Sequence, residues 1–386
     1  MYMNPEEARK QLHLPAGTVT VNAGSWGPLC DAARKAIKQA YIDEAASRGD
    51  NQAYMKEKGS GLVRYSEVVS DAKTVLSRFL GCSPDEVALC DSTTGAMNIF
   101  LWGYDWKPGD QIIAGSLENT AAKVPLMVLA ERRGVELTYV DSLGAEDALM
   151  EALSPRTRMV LLSDVNFATG SRVDLCKVAH MVHQYDALLL ADGIQAVGNH
   201  HVDVKKLGVD GYALARHKFL CGPDGAGALY VSEKAQESIH PTYSGVFTDQ
   251  HHGSGELQPM PTAQKYEVST RALPVIAGGT AATEWIMDEV GLNWIMDYTS
   301  NLYQRLWDAL RDMPHIELVS GRKQNSLLSF RVKNMEAGDV VERLRGGNIF
   351  TRTVGDLIPP VIRLSVGFWN RSSDIDKIVE ALNRLS

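Results

Sequence analysis

Apolar positions along the chain fall into short, nearly continuous runs separated by longer stretches with helical spacing. Val87-Ala88-Leu89-Cys90, Gln111 to Ala114, Glu136 to Val140, Met159 to Ser163 and Leu188 to Ala191 are each four or five residues long. Between them, apolar residues recur every three to four positions, predicting helices over residues 121–133, 145–153 and 176–185. Unbroken apolar runs alternating with helices predict parallel strands buried on both faces. Upstream, helices are predicted over 32–48 and 65–80, the second ending at Gly81. Downstream, residues 211–214 and 228–231 flank a Gly/Pro turn and predict an antiparallel hairpin on the sheet edge.

From about residue 295 the pattern changes. Strands are predicted at 316–319, 327–332, 349–352 and 361–365, with helices at 337–344 and 373–385, after longer helices at 276–290 and 293–311. The fold class expected is α/β: a large domain with a mainly parallel sheet sandwiched by helices (residues 26–294), and a smaller α+β domain (295–386). Residues 1–25 read as an N-terminal arm. Residues 244–262, rich in Gly, Pro, His and Gln, read as a lid or a subunit contact.

Composition narrows the function classes. At 386 residues with a net charge of −8, the chain is expected to be soluble and not to bind nucleic acid. No apolar run approaches a membrane span, and the N-terminus lacks a signal-peptide pattern, so no membrane partner is expected. The five cysteines have no CxxC spacing and predict reduced thiols in a cytoplasmic protein; no metal-ligand spacing is present, His200-His201 and His251-His252 being adjacent pairs.

Chemistry-bearing residues cluster just after predicted strands: Thr94, Asn119, Asp164 to Asn166, and Asp192 with Gln195. Ligands bind off the carboxyl ends of strands in such sheets. Asp91-Ser92-Thr93-Thr94-Gly95 joins a strand to a helix, which serves either as a simple N-cap or as an anion site. Ser25, between two glycines, lies either in a plain connection or where backbone closely approaches a ligand. Lys218 sits between apolar segments, where burial lowers a lysine's pKa and frees it to attack a carbonyl. Asp192 ends an apolar strand and needs a cationic partner. A lysine, a buried acid and a phosphate cup together suit pyridoxal phosphate.

These stretches, with Leu101-Trp102-Gly103-Tyr104-Asp105-Trp106, Tyr266-Glu267-Val268-Ser269-Thr270, Arg352-Thr353 and Arg363, resemble fold-type I pyridoxal-phosphate enzymes of the aminotransferase class V group. That group includes cysteine desulfurases, isopenicillin N epimerases and cysteine/cystine C–S lyases, and the last type is the most similar. The resemblance implies that Lys218 holds the cofactor and moves the Cα proton, and that Asp192 pairs with the ring nitrogen. It implies that Gln195 lies near the phenolic oxygen and that Thr93, Thr94 and His217 lie at the phosphate. Thr270 would reach the phosphate of a neighbouring subunit, implying a homodimer with shared sites. Arg363 would grip the substrate α-carboxylate, with Arg352 and Ser25 on the substrate side.

Four departures bear on the reaction. Asn119 stands where the family has a histidine stacked on the ring, and Asp164 where a later histidine stands. Ala215 replaces a hydroxyl residue, and residues 348–370 contain no cysteine to carry a persulfide. The expected activity is β-elimination from cystine or an S-conjugated cysteine, in secondary metabolism. The alternatives are an epimerase, an aminotransferase or a decarboxylating or oxidatively deaminating enzyme, and, from another class, an inactive binding protein of the same fold.

Overall fold

The computed structural model describes residues 3–47, 61–250, 255–322 and 326–385. Expectations falling on Arg48 and on His251-His252 lie outside them, while the helix expected over 65–80 is described and begins earlier, at Gly61.

The chain enters through a short helix, Pro5–Gln11, capped by Asn4 in a capping box with Glu7. Strand β1 (Val19–Thr20) follows, then helices Asp31–Ser47 and Gly61–Leu80. Seven strands come next: β2 (Val87–Cys90), β3 (Gln111–Gly115), β4 (Glu136–Val140), β5 (Thr157–Ser163), β6 (Leu188–Asp192), β7 (Gly211–Ala215) and β8 (Gly227–Val231). They form one sheet in the order β2-β8-β7-β6-β5-β3-β4. Strands β3 to β7 run parallel, and β8 and β2 add antiparallel pairings.

The apolar runs are explained by the sheet having two covered faces. Ile113, Leu189 and Ala191 belong to one core cluster, while Ile112, Ala114, Leu188 and Leu190 belong to the other. Successive strand residues point to opposite faces, so both sets must be apolar.

The antiparallel pair β7–β8 is not the sheet edge. Strand β2 pairs with β8 on its outer side, from Val87 opposite Tyr230 to Cys90 opposite Gly227. Local patterning cannot reveal a pairing partner more than 130 residues away.

The smaller sheet comprises β9 (Ile316–Leu318), β10 (Leu327–Val332), β12 (Arg352–Val354) and β13 (Val361–Ser365), antiparallel in the order β12-β13-β10-β9. The single strand expected over 349–352 is two. β11 (Ile349–Phe350) pairs in parallel with β1, while Thr351 turns the chain so that β12 joins β13. The arm reaches the smaller sheet through Ser365 N–H of β13, which donates to the Val21 carbonyl at 2.7 Å, and Arg9 adds an ion pair with Asp374 at 3.5 Å. The helix expected over 276–290 begins earlier, at Leu273 with Pro274 in its first turn, and widens into a π-type turn over Trp285–Val290. Among the described residues, no helix is long and apolar enough to cross a membrane.

Candidate active site

The ends of β5 and β6, the start of helix Thr93–Gly103 and the β7–β8 loop surround a cavity of about 190 Å³. Lining it are Ser92, Thr93, Thr94, Asn119, Ser163, Phe167, Asp192, Gln195, His217 and Lys218.

Lys218 lies in the loop after β7, where Cys221 N–H donates to its carbonyl at 3.1 Å. The arm closes over this loop: Gly27 N–H donates to the His217 carbonyl at 2.8 Å. A Cβ at Gly27 would stand 1.8 Å from the Lys218 oxygen, so only glycine fits. Burial, reinforced by the charge of Arg363, pushes the Lys218 amine down to about 7, against the pull of Asp192. Near neutral pH the amine is substantially unprotonated, as a nucleophile or base must be.

Asp192 is the last residue of β6 and is buried. Its Oδ1 accepts from Ile194 N–H at 3.0 Å. Burial raises its pKa, while that hydrogen bond and the Lys218 charge oppose the rise. Gln195 donates through Nε2 to the Gly24 carbonyl at 3.0 Å, and its Oε1 is buried without a partner.

At the helix start, Ser92 Oγ accepts from Gly95 N–H at 3.0 Å and supplies the cap. Thr93 Oγ1 is buried and unpartnered. The cap is thus provided by Ser92, leaving Thr93 and Thr94 to the cavity. His217 is half-buried, and burial followed by the Lys218 charge lowers its pKa.

Asn119 caps the next helix, Thr120–Arg133, accepting from Ala121 N–H at 2.9 Å. Its neighbour Glu118, absent from the sequence-based candidates, is buried and accepts from Ser163 N–H at 2.9 Å and from Ser163 Oγ. Burial pushes Glu118 up to about 7. Its position one residue before Asn119, three residues past a buried strand, was the available signal.

Asp164 and Asn166 do not line the cavity. Asp164, fully buried, accepts from Arg172 Nε and Tyr212 OH, both at 2.9 Å. Asn166 holds its own loop, accepting from Ala168 and Thr169 N–H at 3.0 and 3.1 Å. The residue that β5 presents to the cavity is Ser163.

Arg352 and Arg363 face each other across β12 and β13. Arg363 is buried, donating to Phe167 O at 2.8 Å and Ser25 Oγ at 3.1 Å, with Nε unpartnered. Burial, then the charge of Arg352, lowers Arg363 to about 9. Arg352 is exposed and reaches Ser25 Oγ at 3.4 Å. Among the described residues neither arginine has a carboxylate partner. Thr270 is exposed and lies outside the cavity.

This donor set fits pyridoxal phosphate. A depressed-pKa amine, a buried carboxylate, an unpartnered hydroxyl at a helix start and an unpartnered amide oxygen converge on one cavity. Among the described residues no cluster of His, Cys, Asp and Glu could hold a metal ion.

The family description aminotransferase class-V matches residues 32–378. The chain is 26% identical over 407 aligned positions to a probable cysteine desulfurase of Methanothermobacter thermautotrophicus, covering 100% of this chain and 99% of that one. It is 27% identical to a cysteine desulfurase of Escherichia coli O8, covering 93% and 96%. Among solved structures, it superposes with TM-score 0.90 and 25% identity on a mutant of C-DES with glycine covalently linked to its PLP cofactor, covering 97% and 98%. A complex of the cystine C–S lyase C-DES with its product cysteine persulfide gives TM-score 0.88, also at 25% identity, covering 95% and 98%.

Proposed function

We propose that this chain, which belongs to the aminotransferase class-V family, cleaves the C–S bond of cystine or an S-conjugated cysteine by β-elimination. It is a pyridoxal-phosphate-dependent enzyme of C–S bond cleavage. When bound, the cofactor supplies an electrophilic aldehyde and a ring that draws electrons from the substrate Cα. The rest of the work falls to the chain's own residues.

Lys218 Nζ would hold the cofactor, take the Cα proton and give a proton to the departing sulfur. Asp192 would pair with the ring nitrogen and favour its protonated form, the side-chain amide of Gln195 would lie near the phenolic oxygen, and Thr93, Thr94 and His217 would receive the phosphate. Arg363 binds the substrate α-carboxylate through two parallel N–H donors, with Ser25 and Arg352 beside it. Thr270, exposed and outside the cavity, reaches the site of a second copy in a homodimer. Asn119 cannot exchange a proton, which disfavours epimerisation, a reaction that needs a second acid or base.

The observation that carries the choice is the placement of thiols. All five cysteines precede residue 222, and residues 348–370, around Arg352 and Arg363, contain none. Cys30 and Cys90 are buried, with their thiols pushed up to about 11 and about 12, and none of the five lines the cavity. Persulfide transfer from cysteine needs a thiolate within reach of the substrate sulfur, whereas elimination needs only a sulfur leaving group at Cβ. The unpaired thiols also support a reducing, cytoplasmic setting. Specialisation in secondary metabolism is suggested by Asn119 replacing a proton-transferring residue.

The test is product analysis with cystine and with an S-alkyl cysteine. Pyruvate and ammonia in step with released sulfur support elimination. Alanine as the carbon product would show desulfuration and overturn the proposal.

A further inference from the structure

Asp164 is one of the departures that the reaction scheme leaves unused. It is fully buried just after β5, and its carboxylate is held on both oxygens: Arg172 Nε donates to Oδ1 and Tyr212 OH to Oδ2, each at 2.9 Å. Arg172 is held opposite by a bridge between Val165 and itself, and its side chain is 40% exposed. On the other side, Asp164 touches the turn that carries Asp192. Its N–H donates to the Asp192 carbonyl at 3.0 Å. The ring of Tyr212 lies against Gly193, where a Cβ would stand 1.9 Å from Tyr212 Cε1. The backbone after Asp192 is therefore braced by a ring whose hydroxyl is anchored on Asp164.

We infer that Asp164, clamped by Arg172 and Tyr212, is the positioning residue for Asp192, fixing the Asp192-Gly193 turn and setting the charge against which Asp192 ionises. The inference rests on the assignment of Asp192 to the cofactor's ring nitrogen. The groups facing Asp192 are Glu118 from the loop after β3, Asp164 after β5, Tyr212 from β7 and Lys218 from the following loop, with Arg172 and His200 beside Asp164. Arg363 acts on Lys218 from the smaller sheet. His200, pushed down to about 4 chiefly by burial, stays neutral over the working range. The Asp164 charge opposes ionisation of Asp192, and Arg172 offsets that charge. Removing one or the other must therefore move Asp192 in opposite directions, which a purely structural brace would not do.

The experiment titrates apoprotein with pyridoxal phosphate across pH, reading cofactor Kd by fluorescence, alongside the acidic limb of kcat. Asp164→Asn is expected to shift both limbs to lower pH by on the order of one unit, and Arg172→Gln to shift them up by a similar amount. The double variant is expected to return close to the parent profile. Arg172→Lys, which keeps the charge, is expected to keep the parent limb even if Arg172→Gln fails to fold. Shifts of the same sign, or a pH-independent loss of affinity in all variants, would overturn the inference. Asp192→Asn separates the two readings. If it abolishes the limb while Asp164→Asn and Arg172→Gln do not move it oppositely, the role of Asp164 falls alone. If it leaves the limb intact, the assignment of Asp192 itself falls.

Discussion

Arg352 and Arg363 donate to the same oxygen, Ser25 Oγ, from adjacent strands at 3.4 and 3.1 Å, and neither meets a carboxylate among the described residues. Two guanidinium groups converging on one hydroxyl suit the proposed binding of a substrate carboxylate. The buried Arg363 carries the larger share, because charge pairs gain strength out of water. Arg363→Gln is expected to lower kcat/KM by roughly a hundredfold or more, corresponding to about 3 kcal/mol. Arg352→Gln, at an exposed position, is expected to cost less than about tenfold. Steady-state kinetics with a single cysteine-derived substrate measures both, and equal losses would contradict the assignment.

The amine of Lys218, lowered to about 7 by burial and then Arg363, makes the apoprotein's stability depend on pH. Between about 7 and the unfolded value of 10.5, the unfolded chain binds the extra proton, so stability rises with pH across that window. Lys218→Met removes this term. Its apoprotein is expected to melt above the parent at or below pH 7, with the gap closing as pH approaches 10.5. Thermal melts of apoprotein at a series of pH values give the answer.

Glu118 works in the opposite sense. Its folded value is raised to about 7 from 4.5, so the folded chain binds the extra proton and stability falls as pH rises through that interval. Glu118→Gln keeps an acceptor for Ser163 and avoids the buried charge. The variant is expected to melt a few degrees above the parent at pH 8 and to lose that advantage toward pH 4.5. An advantage independent of pH would mean that Glu118 is not the titrating group.

Asn119 has two separable duties, capping a helix and facing the cavity. Asn119→Ala is expected to cost about 1 kcal/mol of stability through the lost cap, and Asn119→Asp to preserve it. Asn119→His introduces a proton-transferring group and is expected to change the rate or the balance of products. Unchanged rate and products in the histidine variant would remove any catalytic meaning from this position.

Much of the architecture was legible in residue order. The runs at Ile112-Ile113 and Leu188 to Ala191 announced a sheet with two covered faces, and Lys218, Asp192, Thr93, Thr94, Asn119, Gln195 and His217 line one cavity. What sequence could not give depended on distant pairing. Strand β2 closes over β8, and β11 leaves β12 to join β1, because hydrogen-bond partners far along the chain decide those edges. Asp164 follows a strand just as Asn119 does, yet Arg172 and Tyr212 hold it away from the cavity, and Ser163, bonded to Glu118, lines the cavity instead. A strand's last residue can face either side, and one residue of register separates the two outcomes.

Lys218 is proposed as the residue that holds the cofactor. Borohydride reduction of the cofactor-loaded enzyme, followed by peptide mass spectrometry, tests it most directly. The cofactor mass is expected on the peptide containing Lys218, and Lys218→Ala is expected to abolish both the adduct and the visible absorbance band. An adduct on another lysine, or the band surviving in Lys218→Ala, would contradict it.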